Sequence, residues 1–256
     1  MLIFAGLFTG LLVGLTGVGG GSLMTPILLL FFGIAPTTAV GTDLWFAAIT
    51  KLATSPLHHS KKLIDWQVVR LLSIGSLPAS ALMVLALNQQ WLVVQTGELK
   101  FYIGLFILIS ALGIIFQKRL HALGKHFRIQ QEDSFKRVQG SLTILAGIFL
   151  GSVVTLTSIG AGAIGAVMLA YLYPIRLTPQ KLVATDIIHA IPLAIFAGIG
   201  HLLIGNVDFA LLAVMLLGSI PGVLIGTKIA HRIPAQALLI ALATVLVAVA
   251  LKLILA

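Results

Sequence analysis

The sequence predicts an all-α polytopic membrane protein. Three observations carry that reading: 59% of the 256 residues are hydrophobic and only 9% charged, the mean hydropathy is +1.13, and apolar stretches recur along the whole length. Soluble domains average about 45–50% apolar and about 25% charged, so no water-soluble fold could hide this much apolar surface. Stretches of about 20 apolar residues match a hydrocarbon core of about 30 Å at 1.5 Å per helical residue. A β-barrel would need short segments of apolar/polar alternation, whereas 101–116 is apolar on every side.

Element by element, the first half reads as helices over 2–16, 21–33, 36–58, 65–88 and 98–117, and the second as 139–158, 163–173, 179–204, 208–229 and 234–255. The first segment, Met1 to Leu15, has no basic leader or small-residue cleavage site, and is expected to be a retained membrane helix rather than a signal peptide. Each half thus begins with a glycine-broken pair of short helices and continues with three longer ones. Between the halves lies a polar stretch carrying Lys118, Arg119, Lys125, Arg128, Lys136 and Arg137. The expected division is an N-terminal transmembrane repeat over 1–117, a basic cytoplasmic linker over 118–138, and a C-terminal repeat over 139–256.

The repeat is visible without gaps. An offset of 143 residues superposes Pro36 on Pro179, Thr42-Asp43 on Thr185-Asp186, His58 on His201 and Asp65 on Asp208. The same offset carries Gly17 onto Gly160, Gly19 onto Gly162, and Gly75-Ser76-Leu77-Pro78 onto Gly218-Ser219-Ile220-Pro221. Apolar residues coincide by chance in any membrane protein; paired Asp, His and Pro at one offset do not.

The net charge of +9 would suggest nucleic acid in a soluble chain, but here Lys and Arg gather between apolar segments, which is topological charge. With the linker placed in the cytoplasm, the 59–64 loop (Lys61, Lys62) falls inside and the 89–97 loop, without Lys or Arg, outside. In the second half the 174–181 turn (Arg176, Lys181) and the 228–234 loop (Lys228, Arg232) fall inside and the 201–208 loop outside. Equivalent loops then face opposite sides, so the repeats are expected to be inverted, as in many secondary transporters. It follows that each glycine-broken element returns to the side it came from, as a re-entrant hairpin or a tight set of spans. Lys252, expected outside, runs against the charge rule.

Three groups of residues could carry chemistry. The run Thr16-Gly17-Val18-Gly19-Gly20-Gly21-Ser22 and its counterpart Ser158-Ile159-Gly160-Ala161-Gly162 either let helices pack closely or free backbone N–H groups inside the membrane. At the start of a short helix such N–H groups, with the positive end of the helix dipole, suit an anion. A nucleotide phosphate loop is not supported, since the Lys and the flanking strand are missing. On that basis Gly17, Gly19, Gly20, Gly21, Gly160 and Gly162, with Thr42 and Thr185, are candidate substrate-binding residues. Asp43 and Asp186 each lie seven residues past a helix-starting Pro, about 10 Å deep. A carboxylate within a span is costly and commonly marks an ion, proton or substrate path; the structural alternative is a hydrogen bond that holds a broken helix. His189, three residues after Asp186, shares its face, and its counterpart is Phe46, so a proton relay through Asp43, Asp186 and His189 would be asymmetric. At the rims, Lys51, about 22 Å along its helix, is expected to snorkel to the cytoplasmic side in preference to its other reading, substrate binding. His58 and His201 are expected at the interface, Asp65 and Asp208 as helix N-caps, and Pro78 and Pro221 as kinks. With no cysteine, disulfides and thiol chemistry are excluded; no Ser-His-Asp order or metal-ligand cluster stands out, so neither an enzyme nor a cofactor is expected.

The stretch GLTGVGGGSLMTP followed by AVGTD, with ATDIIHAIP, GHLLIGNVD and GSIPG in the second half, resembles the sulfite exporter TauE/SafE family over nearly the whole chain. The resemblance implies about eight transmembrane helices, two homologous halves and export of small sulfur-containing oxyanions such as sulfite or sulfoacetate. Together these readings point to a multi-pass transporter of the cell (inner) membrane, with a small anionic substrate and the lipid bilayer as partners, no nucleic acid, and room for a homo-oligomer. A passive anion channel, or a transporter of non-sulfur organic acids, stays open as the alternative. The cysteine-free background makes the topology testable: in Lys62→Cys and Asn206→Cys variants, a membrane-impermeant thiol probe should label the two positions from opposite sides, and labelling from one side would end the inverted-repeat reading.

Overall fold

The structure, a computed structural model, describes residues 1–16, 21–59, 63–91, 96–130, 132–230 and 235–255. Among these, every element is helical: α1 (Leu2–Thr16), α2 (Gly21–Phe31), α3 (Pro36–His59), α4 (Trp66–Asn88), α5 (Thr96–Gln130), α6 (Glu132–Thr157), α7 (Ala163–Leu172), α8 (Pro179–Ile204), α9 (Phe209–Ile229) and α10 (Ala235–Ile254). Six are long and apolar enough to cross a membrane: α4, α8, α9 and the segments 97–126 of α5, 135–157 of α6 and 236–254 of α10. The 24-residue α3 is long enough too, but Asp43, Lys51 and its run of Thr, Ser and His make it less apolar. Large side chains cover the outside, with Leu203 80%, Leu217 68% and Leu82 67% exposed. Only a lipid solvent tolerates such a surface.

The helix ends follow from the sequence. Asp65 and Asp208 cap α4 and α9, accepting the backbone N–H of Val68 (3.3 Å) and Leu211 (2.9 Å), as expected of carboxylates at that position. Thr178 caps α8 ahead of Pro179, and Gly205 ends it in the left-handed conformation (φ 89°) that glycine adopts without strain.

One element differs from expectation. The segment 118–138 is not a break between helices ending at 117 and starting at 139: α5 runs on to Gln130 and α6 begins at Glu132. Gln117, Lys118, Arg119, Leu120, Ala122, Leu123 and Lys125 are good helix formers. The extension also has something to pack on, since the backbone of Gly124 meets the carbonyl of Tyr171 at the end of α7. Gln139 donates to the Leu172 carbonyl beside it, and Lys118 reaches Gln236 of α10 at 2.8 Å.

The packing interleaves the two halves of the sequence. α1 lies along α9, and α4 along α6. The 143-residue offset turns the first pairing into the second, so each joins the opening helix of one half to the fourth helix of the other. α3 packs on α8 and α5 on α10, each against its own counterpart. Small residues allow the first two contacts. Gly6, Gly10 and Gly14 of α1 lie against backbone carbonyls of Met215, Ser219 and Val223, while Gly218, Gly222 and Gly226 of α9 lie against those of Ile3, Leu7 and Leu11. Gly75, Gly147 and Gly151 do the same between α4 and α6. Lipid tails are as apolar as leucine, so association here depends on close backbone approach.

A methyl group at Gly10 or Gly218 would collide with a carbonyl, whereas at Gly140 nothing lies within 4 Å. Gly10→Ala and Gly218→Ala should each destabilise the protein by about 1–3 kcal/mol, seen as a lower melting temperature in detergent. Gly140→Ala should be neutral or gain up to about 1 kcal/mol.

Candidate functional site

The site forms where α6 stops being a helix. Beyond Thr157 the backbone turns left-handed at Ser158 (φ 58°), Gly160 (φ 114°) and Gly162 (φ 136°) before α7 starts at Ala163. Glycine takes such angles freely; Ser158 adopts them under constraint. Thr157 helps by accepting the N–H of Ile159 at 3.2 Å, and the Gly165 N–H returns to the Gly160 carbonyl at 3.0 Å. The break is inside the protein: Ile159 is fully buried and Ser158 nearly so. Gly160 and Gly162 therefore sit in non-helical backbone buried inside the protein. Gly21 opens α2, while Gly17, Gly19 and Gly20 lie outside the described residues.

Packed against this break is a buried charged cluster from α3 and α8. Asp43 is fully buried, and one of its oxygens, Oδ2, accepts both the backbone N–H (3.2 Å) and the hydroxyl (2.5 Å) of Thr25 on α2. Its other oxygen makes no hydrogen bond of ordinary geometry among the described residues, and the Ser158 hydroxyl, likewise without one, lies next to this carboxylate. Asp186 is 2% exposed with Oδ1 unpartnered. It abuts Gly165, where any side chain would strike its carboxylate. His189 bonds through Nε2 to Ser76 on α4 (2.9 Å), and its Nδ1 is unpartnered. In the other half, the matching serine, Ser219, has no partner among the described residues, and Phe46 stands where His189 would be.

Lys51 overturns its expectation. It does not snorkel: the side chain is 2% exposed, and Nζ donates to the Ala161 carbonyl in the middle of the break at 2.8 Å. Depth along the helix suggested the rim, but the spacing 43, 47, 51 puts Lys51 on the same face as Asp43, and that face is covered by the break. The ammonium lies within electrostatic reach of Asp186, Asp43 and His189. Its counterpart at the repeat offset is Ala194, so the pattern of matched pairs that exposed Asp43 and Asp186 was blind to it. Thr25 and Ser158 were missed for the same reason, because neither is part of a matched polar pair.

The threonines beside the carboxylates serve the scaffold. Thr42 accepts the backbone N–H of Asp208 (3.0 Å), and Thr185 that of Asp65 (3.1 Å). Each ties the helix bearing one Asp to the capped start of a neighbour. On one side Arg176 adds a bidentate pair to Asp65 (2.6 and 2.8 Å) and a bond to Gln67 (3.0 Å); the matching position in the first half is Gly33. His201 is not an interface residue: it is 3% exposed and pairs through Nε2 with the Thr155 carbonyl at 2.8 Å. The side chain of His58 lies outside the described set. No group of three or more His, Asp or Glu converges as a metal site among the described residues.

What this arrangement can do is hold and release charge inside a membrane: one ammonium, two carboxylates, an imidazole and a hydroxyl, several with bonding capacity unspent, against backbone freed from a helix. Known proteins share the chain from end to end. The sulfite exporter TauE/SafE family matches residues 2–253. "Probable membrane transporter protein YjnA" of Bacillus subtilis is 40% identical over 255 residues, covering 99% of this chain and 98% of the relative. "Probable membrane transporter protein YunE" of the same organism is 24% identical over 271 residues, covering 99% and 96%, and its YdhB is 27% identical over 238 residues, covering 91% of each. No solved structure matches. With the family matched over nearly its full length and a full-length relative at 40% identity, this chain belongs to the sulfite exporter TauE/SafE family of membrane transporters.

Proposed function

We propose that the protein is a secondary transporter that exports a small anion, a sulfur-containing oxyanion or an organosulfonate, across the cell membrane in exchange with or alongside protons. The observation that carries this reading is the pair of buried carboxylates, Asp43 and Asp186, each with an unpartnered oxygen, packed against the glycine break between α6 and α7. Charge within the membrane is costly and is retained where it serves transport. Non-helical backbone at depth is tolerated where it lines a cavity or protein interior. Asp43, Asp186 and His189 are the proton-coupling groups of this reading; Gly160 and Gly162, with the N-terminus of α7, face the anion. Thr42 and Thr185 support the site by fixing the helices beside it.

The architecture that suits this function is two inverted repeats, 1–117 and 139–256, joined through a cytoplasmic 118–138. In its favour are the 143-residue offset, the alternating loop charges, and the way that α1 on α9 and α6 on α4 exchange under that offset. In such proteins the repeats rock about a central site that opens to each side in turn. Asp43 and Asp186 would then meet protons from opposite faces.

Flux into proteoliposomes, measured for sulfite, sulfoacetate, thiosulfate and organic acids with and without a pH gradient, tests the reading. Wild-type protein should accumulate a sulfur oxyanion when a gradient is imposed. Asp43→Asn and Asp186→Asn should each bring gradient-driven accumulation down to that of protein-free liposomes while sparing exchange of substrate down its own gradient. Full accumulation in the double variant would leave the carboxylates as scaffolding. Gly162→Val should abolish flux, since a β-branched residue is strained at φ 136°; wild-type flux in the folded variant would remove the break from the pathway.

A further inference from the structure

Lys51 is the one charge in the cluster that the repeat does not duplicate. An ammonium has three donors and no acceptor. The Ala161 carbonyl takes one, and among the described residues no carboxylate lies within ion-pairing distance to take another. The remaining donors are buried at the break, whose Ser158 hydroxyl lies against the Asp43 carboxylate. The Asp43 and Asp186 carboxylates are the negative charges within electrostatic reach of the ammonium. Charge-assisted N–H···O bonds are what a desolvated oxyanion requires, and glycine at 160, 162 and 165 adds no side chain to the break or to the first turn of α7.

We propose, on the basis of the transport reading above, that Lys51 binds the transported anion and that Asp186 competes with it, so that an oxyanion of one negative charge takes over from the Asp186 carboxylate the compensation of the ammonium's charge when that carboxylate takes up a proton. The exchange balances. With both carboxyls ionised the cluster carries one net negative charge. Adding a proton at Asp186 and a monoanion at Lys51 leaves that value unchanged, so one proton accompanies each anion and the site never holds an extra uncompensated charge. A dianion with a single proton would not meet that condition, which narrows the substrate class to singly charged oxyanions, the hydrogen form of sulfite or a simple sulfonate. Asp43 is the less suited competitor, because Thr25 already serves its Oδ2 twice.

The groups facing Lys51 are few. Asp43 lies on its own helix, Asp186 and His189 on α8 and the Ala161 carbonyl in the break, while Thr25 on α2 and Ser158 in the break act through Asp43. α9 also packs on α3, and its Asp208 caps that helix while its backbone N–H is held by Thr42. Protonation of His189 instead of Asp186 would add positive charge without freeing the ammonium, and would leave the competition in place.

Sulfite exchange in proteoliposomes separates these cases, using full-length wild type, Lys51→Met, Lys51→Arg, Asp186→Asn and the Lys51→Met/Asp186→Asn pair. Lys51→Met should show no exchange and Lys51→Arg should keep part of it. Because the medium's pH titrates sulfite as well, the informative quantity is the ratio of wild-type to Asp186→Asn KM at each pH. That ratio should be near one in acid, where Asp186 is protonated and does not compete, and rise roughly tenfold in alkali, the effect of removing one competitor worth about 1.4 kcal/mol. A ratio constant with pH, or Lys51→Met exchanging with wild-type KM, overturns the proposal. If Lys51→Met does not fold, the pair, which loses one charge of each sign, supplies the test: a folded pair without exchange supports the assignment, and one that exchanges like wild type refutes it. Wild-type protein that moves no sulfur oxyanion at all would instead sink the transport reading, and this assignment with it.

Discussion

A lysine ammonium in the interior of a membrane protein must be held by oxygens that the fold supplies, and in this chain that requirement organises the centre. The oxygen comes from Ala161, whose carbonyl is available because α6 has ended and α7 has not begun. A continuous helix would have spent that carbonyl on its own ladder. The left-handed residues at 158, 160 and 162 are therefore what allow a cation on α3 to exist, and the two carboxylates on α3 and α8 are what keep its charge from standing alone.

Holding those groups together depends on helices approaching more closely than large side chains permit. The glycine stripes of α1 and α9, and of α4 and α6, bring backbones into contact, and the Thr42 and Thr185 bonds pin α3 to the start of α9 and α8 to the start of α4. Each tie crosses from one half of the sequence to the other. The cluster sits where these crossings meet, so a shift of one half relative to the other changes what faces Asp43, Lys51 and Asp186. The Arg176 to Asp65 pair reinforces one such crossing and has no equivalent residue at position 33. The two crossings are thus stabilised unequally.

Most helix bounds were legible because the signals were local: Asp65, Asp208 and Thr178 as caps, Pro179 at a start, Gly205 at an end. The duplication was legible through Asp43 and Asp186, whose matched positions stand out against an apolar background. What stayed hidden was tertiary. Lys51 was assigned to the rim from its distance along α3, and His201 from its place near a helix end, because one-dimensional depth does not reveal which neighbour covers a face. The helical continuation through 118–130 was obscured by its charge, although its residues are good helix formers and Gly124 has a partner surface on α7. Thr42 and Thr185 stood as substrate-binding candidates because they adjoin the carboxylates, and no spacing rule could show that their hydroxyls are directed at the capped starts of α9 and α4.

The central claim, that Lys51 and Asp186 compensate each other in the buried break, is tested most directly by a double-mutant cycle on thermal stability in detergent. Each single change, Lys51→Met or Asp186→Asn, removes one partner of a buried set and should lower the melting temperature. Removing both should cost less than the sum of the two, with a coupling in the range of about 0.5–3 kcal/mol found for residues in one network. Strictly additive losses would mean that the two charges do not sense one another, and would contradict the account.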